Sequence, residues 1–141
     1  MKNYPNPSFV LLSLILLILA GCADPQKKID AVNALPKTTI EITETLFEFG
    51  IVQQGDRIKH SFVFKNTGTQ PLVIGHVKTS CSCTSSDWSN EPVAPGAEAI
   101  VTLDLNTSDK EGGISKGALV FMNTEEEKVR VMMKGTVETG K

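Results

Sequence analysis

Beyond residue 38 the chain alternates apolar and polar side chains with a period of two, broken only by turn-forming clusters, and no segment keeps a 3.6-residue stripe for three turns. Such a pattern puts successive side chains on opposite faces of an extended strand, so each strand must bury one face against a second layer. Ile58, His60, Phe62 and Phe64 share one face of residues 57–65, with Arg57, Lys59, Ser61 and Lys65 on the other. Ala99, Val101, Leu103 and Leu105 repeat the pattern. Ile40, Ile42, Phe47, Phe49 and Ile51 predict an opening strand, in one piece or two, before the breaker Gln53-Gln54-Gly55-Asp56. Over 72–80 the alternation slips at Gly75, where a bulge turns Leu72, Ile74 and Val77 all toward the core. Residues 81–90 read as irregular and 109–113 as a loop. Strands over 118–123 and 129–137 follow, joined by a hairpin at Thr124-Glu125-Glu126-Glu127, with Val129, Val131, Met133 and Val137 inward.

Strands at this spacing over about 100 residues predict an all-β fold, an immunoglobulin-like two-sheet antiparallel sandwich of about seven strands, one of them a short strand between Trp88 and Val93. A small barrel is the alternative. The chain of 141 residues has room for one domain, and 40% hydrophobic with 21% charged residues excludes a wholly disordered or multi-pass membrane protein. Fourteen basic against sixteen acidic side chains lack the positive excess that phosphate backbones require, so no nucleic-acid partner is expected.

Lys2 precedes an apolar run over 9–19, then Leu19-Ala20-Gly21-Cys22. The run is too short for a bilayer span of roughly 20 residues, and the layout is that of a signal peptide. The last four residues resemble the bacterial lipobox, which implies cleavage before Cys22, diacylglycerol on its sulfur and an acyl chain on its amino group. Two or three chains hold a protein stably on a bilayer, where one does not. The expected organisation is therefore a lipoprotein signal peptide over 1–21, lipidated Cys22 and a tether over 22–37, the sandwich over 38–138 and a tail over 139–141. The tether, with Pro25 and Pro36, carries a short helix at most, near 29–35, and as a coil stands the domain some 20–25 Å off the membrane. Ala23 after the cysteine favours the periplasmic face of the outer membrane, by resemblance to enteric sorting rules.

Phe47-Glu48-Phe49-Gly50, Gly55, His60-Ser61-Phe62-Val63-Phe64-Lys65-Asn66-Thr67-Gly68, Pro71-Leu72-Val73-Ile74, Ser80-Cys81-Ser82-Cys83-Thr84 and Ala94-Pro95-Gly96 resemble, in order, the bacterial domain-of-unknown-function family 1573. The resemblance spans about 47–137 and implies an immunoglobulin-like sandwich on exported bacterial proteins, with no established activity. Ser82 stands where the family has glycine, and a left-handed turn there would strain a serine.

With Cys22 lipidated, Cys81 and Cys83 remain as an even pair. Two strand residues apart, their α-carbons would lie about 6.6 Å from each other, so a disulfide needs a turn between them. Three readings stand: a local disulfide or inert thiol pair, a copper(I) site with His76, His60 or Met122 as third ligand, and thiol redox chemistry. His60 on an apolar strand face reads as a hydrogen-bonded core histidine, and Trp88 as a core plug. There is no Gly-x-Ser-x-Gly, phosphate-loop or dinucleotide signature.

The expected function is thus non-enzymatic: a module of the bacterial cell envelope, held by membrane lipid through Cys22, without a cofactor, that binds another envelope protein or gives structural support. An open sandwich offers edge strands for strand addition. The alternative is copper(I) binding or thiol redox chemistry at Cys81 and Cys83.

Overall fold

The computed structural model describes residues 24–140; the segment expected as a signal peptide, and Cys22, lie outside the described residues. Among the described residues one helix, α1 (Pro25–Asn33), precedes eight strands: β1 (Ile40–Ile42), β2 (Leu46–Gln53), β3 (Arg57–Asn66), β4 (Ile74–Thr79), β5 (Thr84–Trp88), β6 (Glu98–Asn106), β7 (Gly112–Met122) and β8 (Lys128–Glu138). They form two four-stranded sheets, β1-β3-β6-β5 and β2-β8-β7-β4. The fold is all-β, a two-sheet sandwich as expected.

The alternation reads directly into burial. Phe62, Phe64, Ala99, Val101, Leu103 and Leu105 face Val120, Met122, Val131 and Met133 across the interior, all ten fully buried. Two buried asparagines close one end. The Asn66 side chain donates to the carbonyls of Gln70 and Val93 and accepts from Thr38 Oγ1. Asn123 accepts from the Val73 amide and donates to the carbonyls of Pro36 and Pro71. With every polar atom of both amides engaged, each asparagine fixes turns that the ladders leave free.

Several expectations change in detail. The opening segment is two strands in different sheets. β1 pairs antiparallel with β3, and β2 pairs parallel with β8, the one parallel pair among the described strands. Only residues 43–45 link β1 to β2, so the chain passes from one sheet to the other within three residues. The slip at Gly75 is a bulge, as read, and Leu72, Ile74 and Val77 are all buried. The short extra strand lies at Thr84–Trp88 rather than after Trp88, and the division of the opening segment into two strands brings the count to eight. β7 starts at Gly112, six residues earlier than predicted, because Gly112, Gly113, Ser115 and Gly117 carry too little apolar signal to mark a strand.

The segment expected as a tether is mostly helix and is docked. Asp24 caps α1 by accepting from the Gln26 amide at 3.0 Å, and Pro25 takes the first helical position, where its missing N–H costs nothing. Val32 is buried, and α1 packs against β4 and β7 on the outer side of their sheet. Gly75 makes the room: a Cβ there would lie 2.6 Å from Val32 Cγ2 and 3.3 Å from the Lys28 carbonyl oxygen. No helix among the described residues is long and apolar enough to cross a membrane.

Candidate functional site

The cysteines sit where the chain leaves one sheet for the other. A turn closes between β4 and β5, its Thr84 amide donating to the Cys81 carbonyl at 3.3 Å. This turn draws the α-carbons of Cys81 and Cys83 to 5.3 Å, well inside the extended-strand spacing, and the two are disulfide-bonded. Ser82 keeps a negative φ; among the described non-glycine residues only Glu127, in the β7–β8 hairpin, is left-handed. The strain expected of a serine at this position is absent. Ser80 joins the site to β7, its amide donating to the Gly117 carbonyl and its hydroxyl accepting from the Gly117 amide.

The proposed third ligands are dispersed. His60, on β3, is hydrogen-bonded to Glu44 through Nε2 at 2.8 Å, stacked on Phe47 with ring centroids 3.7 Å apart and met edge-on by Phe62. His76 lies on β4 between Trp88 and Phe121, with centroids 6.3 and 6.2 Å away. Met122 is fully buried in the core. Among the described residues no three His, Cys, Asp or Glu side chains gather as a metal would require. Both sulfurs of the turn are half-buried, and the disulfide must open before either can act as a ligand or nucleophile. Trp88 is half-buried and packs on the rim of the core.

What the arrangement does present is a set of unequal sheet edges. β1 is three residues long and β5 five. β4 is bulged and flanked by α1. β2 is the longest edge, eight residues, with no element over its outer side among the described contacts. A bulge at Phe49, with Gly50 at φ 73°, reverses the alternation, so that Ile51 points outward and is 68% exposed. The expectation that Ile51 continues the buried face of Phe47 and Phe49 is therefore corrected, and Val52 turns inward instead. Leu46 is also exposed. Two pKa shifts, on the outer rims, follow from direct contacts. Hydrogen bonding to Asp104 and its charge hold the Arg57 guanidinium above its usual value, and a hydrogen bond from Lys110 holds the Asp109 carboxyl below its own.

The family described as "Protein of unknown function (DUF1573)" matches residues 40–137, from the first strand to the end of the last. The chain belongs to this family. No curated protein matches it. Among solved structures, a Porphyromonas gingivalis W83 protein of unknown function superposes with a TM-score of 0.63 at 17% identity, over 73% of this chain and 50% of that one. The DUF1573 chain thus covers half the length of that protein. The ASH/PapD-like domain 7 of human CEP192 superposes with a TM-score of 0.61 at 11% identity, over 89% of this chain and 99% of that domain. The VesB protease of Vibrio cholerae matches at a TM-score of 0.55 and 13% identity, over 71% of this chain and 32% of the protease. At these identities the likeness is one of fold: a PapD-like, immunoglobulin-like sandwich.

Proposed function

We propose that this DUF1573 protein is a lipid-anchored, non-enzymatic module of the bacterial cell envelope, on the periplasmic face of the outer membrane, that binds a partner protein along β2. The observation that carries the reading is the inequality of the edges. A partner strand adding to a sheet needs a row of free backbone groups and exposed alternate side chains to read. β2 has both, with Leu46 and Ile51 as anchors, whereas β4 is flanked by a helix and β1 and β5 are short. The bulge at Phe49 and the charge of Glu48 guard this edge against indiscriminate pairing.

A photo-crosslinking residue at Ile51, compared with one at exposed Ile100 on the opposite sheet, tests the reading in cells. A discrete protein captured from Ile51 and not from Ile100 is expected; equal capture from both sites overturns it. The anchor is tested on the same sample by the mass of the amino-terminal peptide, where diacylglycerol and an acyl chain on Cys22 are expected and a free thiol counts against it.

The copper(I) or thiol reading has one observation in its favour. The bond closes a ring of only three residues, so the chain-entropy gain that resists its reduction is small. Copper(I) titration of the reduced protein decides it: stoichiometric uptake abolished by Cys81→Ser supports the role, and uptake unchanged in that variant removes it.

A further inference from the structure

The two outer faces of the sandwich distribute charge differently. On β3 and β6, cations stand beside anions. Asp104 meets Arg57 at 3.0 Å and Lys59 at 3.9 Å, and Lys65 lies between Glu41 and Glu98 in cross-strand register. On the other sheet, register aligns Lys78, Leu119 and Arg130 in one row across β4, β7 and β8, with Phe121 and Lys128 in the next. Lys78, Lys128 and Arg130 are exposed, and among the described residues none of them has a carboxylate within ion-pair distance. Of the acids of this sheet, Glu48 opposes Lys134 and Glu138 closes the far end of β8, whereas exposed Glu125, Glu126 and Glu127 form the hairpin beside Lys128, with Glu127 3.8 Å from Lys37. The row of Lys78 and Arg130 lies further along the strands from that hairpin, on the sheet where α1 docks. The helix adds exposed Lys27 and Lys28, and with them the carboxylates of Asp24, which caps it, and Asp30, which accepts from Gln26 at 2.9 Å.

We propose that this part of the β4-β7-β8 face is a second membrane contact, in which Lys78 and Arg130 rest on anionic phospholipid headgroups. The orientation rests on the anchored reading above. Cys22 is three residues from Pro25, a reach of at most about 10 Å, and α1 is packed on the same sheet as the cations. A lipid at Cys22 therefore holds this end of the domain close to the bilayer, where the negative surface potential acts over about one Debye length. The domain lies against the membrane instead of standing off it on a flexible tether.

The test separates the face from the anchor. The mature chain from residue 22 with Cys22→Ser, which keeps every described residue, is sedimented with vesicles of phosphatidylcholine alone or with about 30% phosphatidylglycerol. At low salt the expected result is about ten-fold or greater preference for the anionic vesicles, lost in about 0.5 M NaCl. Lys78→Glu with Arg130→Glu should remove the preference, the neutral pair Lys78→Gln with Arg130→Gln should weaken it, and Lys65→Glu on the opposite sheet should leave it intact. Circular dichroism confirms that each variant is folded. Equal binding to both vesicle types, or the same loss with Lys65→Glu, overturns the proposal, and so does binding to an acidic polypeptide that anionic vesicles do not displace. Failure of the anchor shows separately, in the mass of Cys22 in the full chain.

Discussion

The second sheet has two edges, each held by an apolar side chain seated over a glycine, and they differ in what that seat supports. At β2, Phe49 lies on Gly135 of β8: a Cβ on that glycine would collide with the Phe49 ring and come 2.6 Å from the Gly50 carbonyl oxygen. At β4, Val32 of α1 lies on Gly75. Phe49 belongs to the rim of the core and belongs to a strand with a seven-residue ladder, whereas Val32 is the only buried residue of its helix. The same device, a missing Cβ, thus builds a strand into the core on one side and fastens a removable cover on the other.

The largest test of this difference is Gly135→Val. Because both the ring and the backbone of β2 must give way, a loss of about 3 kcal/mol in urea-unfolding stability is expected, with exchange protection lost along β2. A loss below about 1 kcal/mol would show that Phe49 has somewhere else to go. Gly75→Val should cost less, about 1–2 kcal/mol, because the helix can lift away from the sheet and leave the sandwich intact. Hydrogen exchange should then rise over residues 25–33 while β2 and β8 keep their protection. Loss of protection in both places would mean that the helix is part of the core.

The disulfide turn lies on the β4 side and is smaller still in its effect. A closed loop of three residues restrains the unfolded chain little, so Cys81→Ser with Cys83→Ser should cost no more than about 1.5 kcal/mol, read from the urea midpoint at constant slope. A much larger cost would make the turn a principal organiser of β4 and β5.

How much of this was legible beforehand divides along the same line. The faces of β3, β6 and β8 were readable because one side of each is buried and the alternation is unbroken, and the slip at Gly75 located a bulge correctly. β7 was hidden where its outward positions are Gly113, Ser115 and Gly117, which carry little contrast with a loop. The docked helix was hidden because a single buried valine makes no periodic stripe; its start was nonetheless written in Asp24-Pro25, a cap followed by a first-turn proline. At the candidate site, the pairing of Cys81 with Cys83 and the turn it requires were among the readings, but the negative φ of the serine in that turn was not. The inequality of the edges was out of reach, since strand order is a tertiary property.

Ile51 sharpens the comparison last, and with the smallest expected change in stability. Unbroken alternation from Phe47 would turn Ile51 inward and Val52 outward; the bulge at Phe49 exchanges them, leaving Ile51 exposed and Val52 half-buried. A charge at a buried position without a partner costs several kcal/mol, whereas an exposed position on an edge tolerates it within about 0.5 kcal/mol. Ile51→Lys should therefore leave the unfolding midpoint nearly unchanged, while Val52→Lys, at a half-buried position, should lower stability by about 1 kcal/mol or more. Should Ile51→Lys also remove the crosslinked partner, loss of binding without loss of stability would mark Ile51 as a contact rather than a support. If Ile51→Lys unfolds the domain instead, the bulge is not where β2 reverses its faces, and the open edge must be read again from Val52.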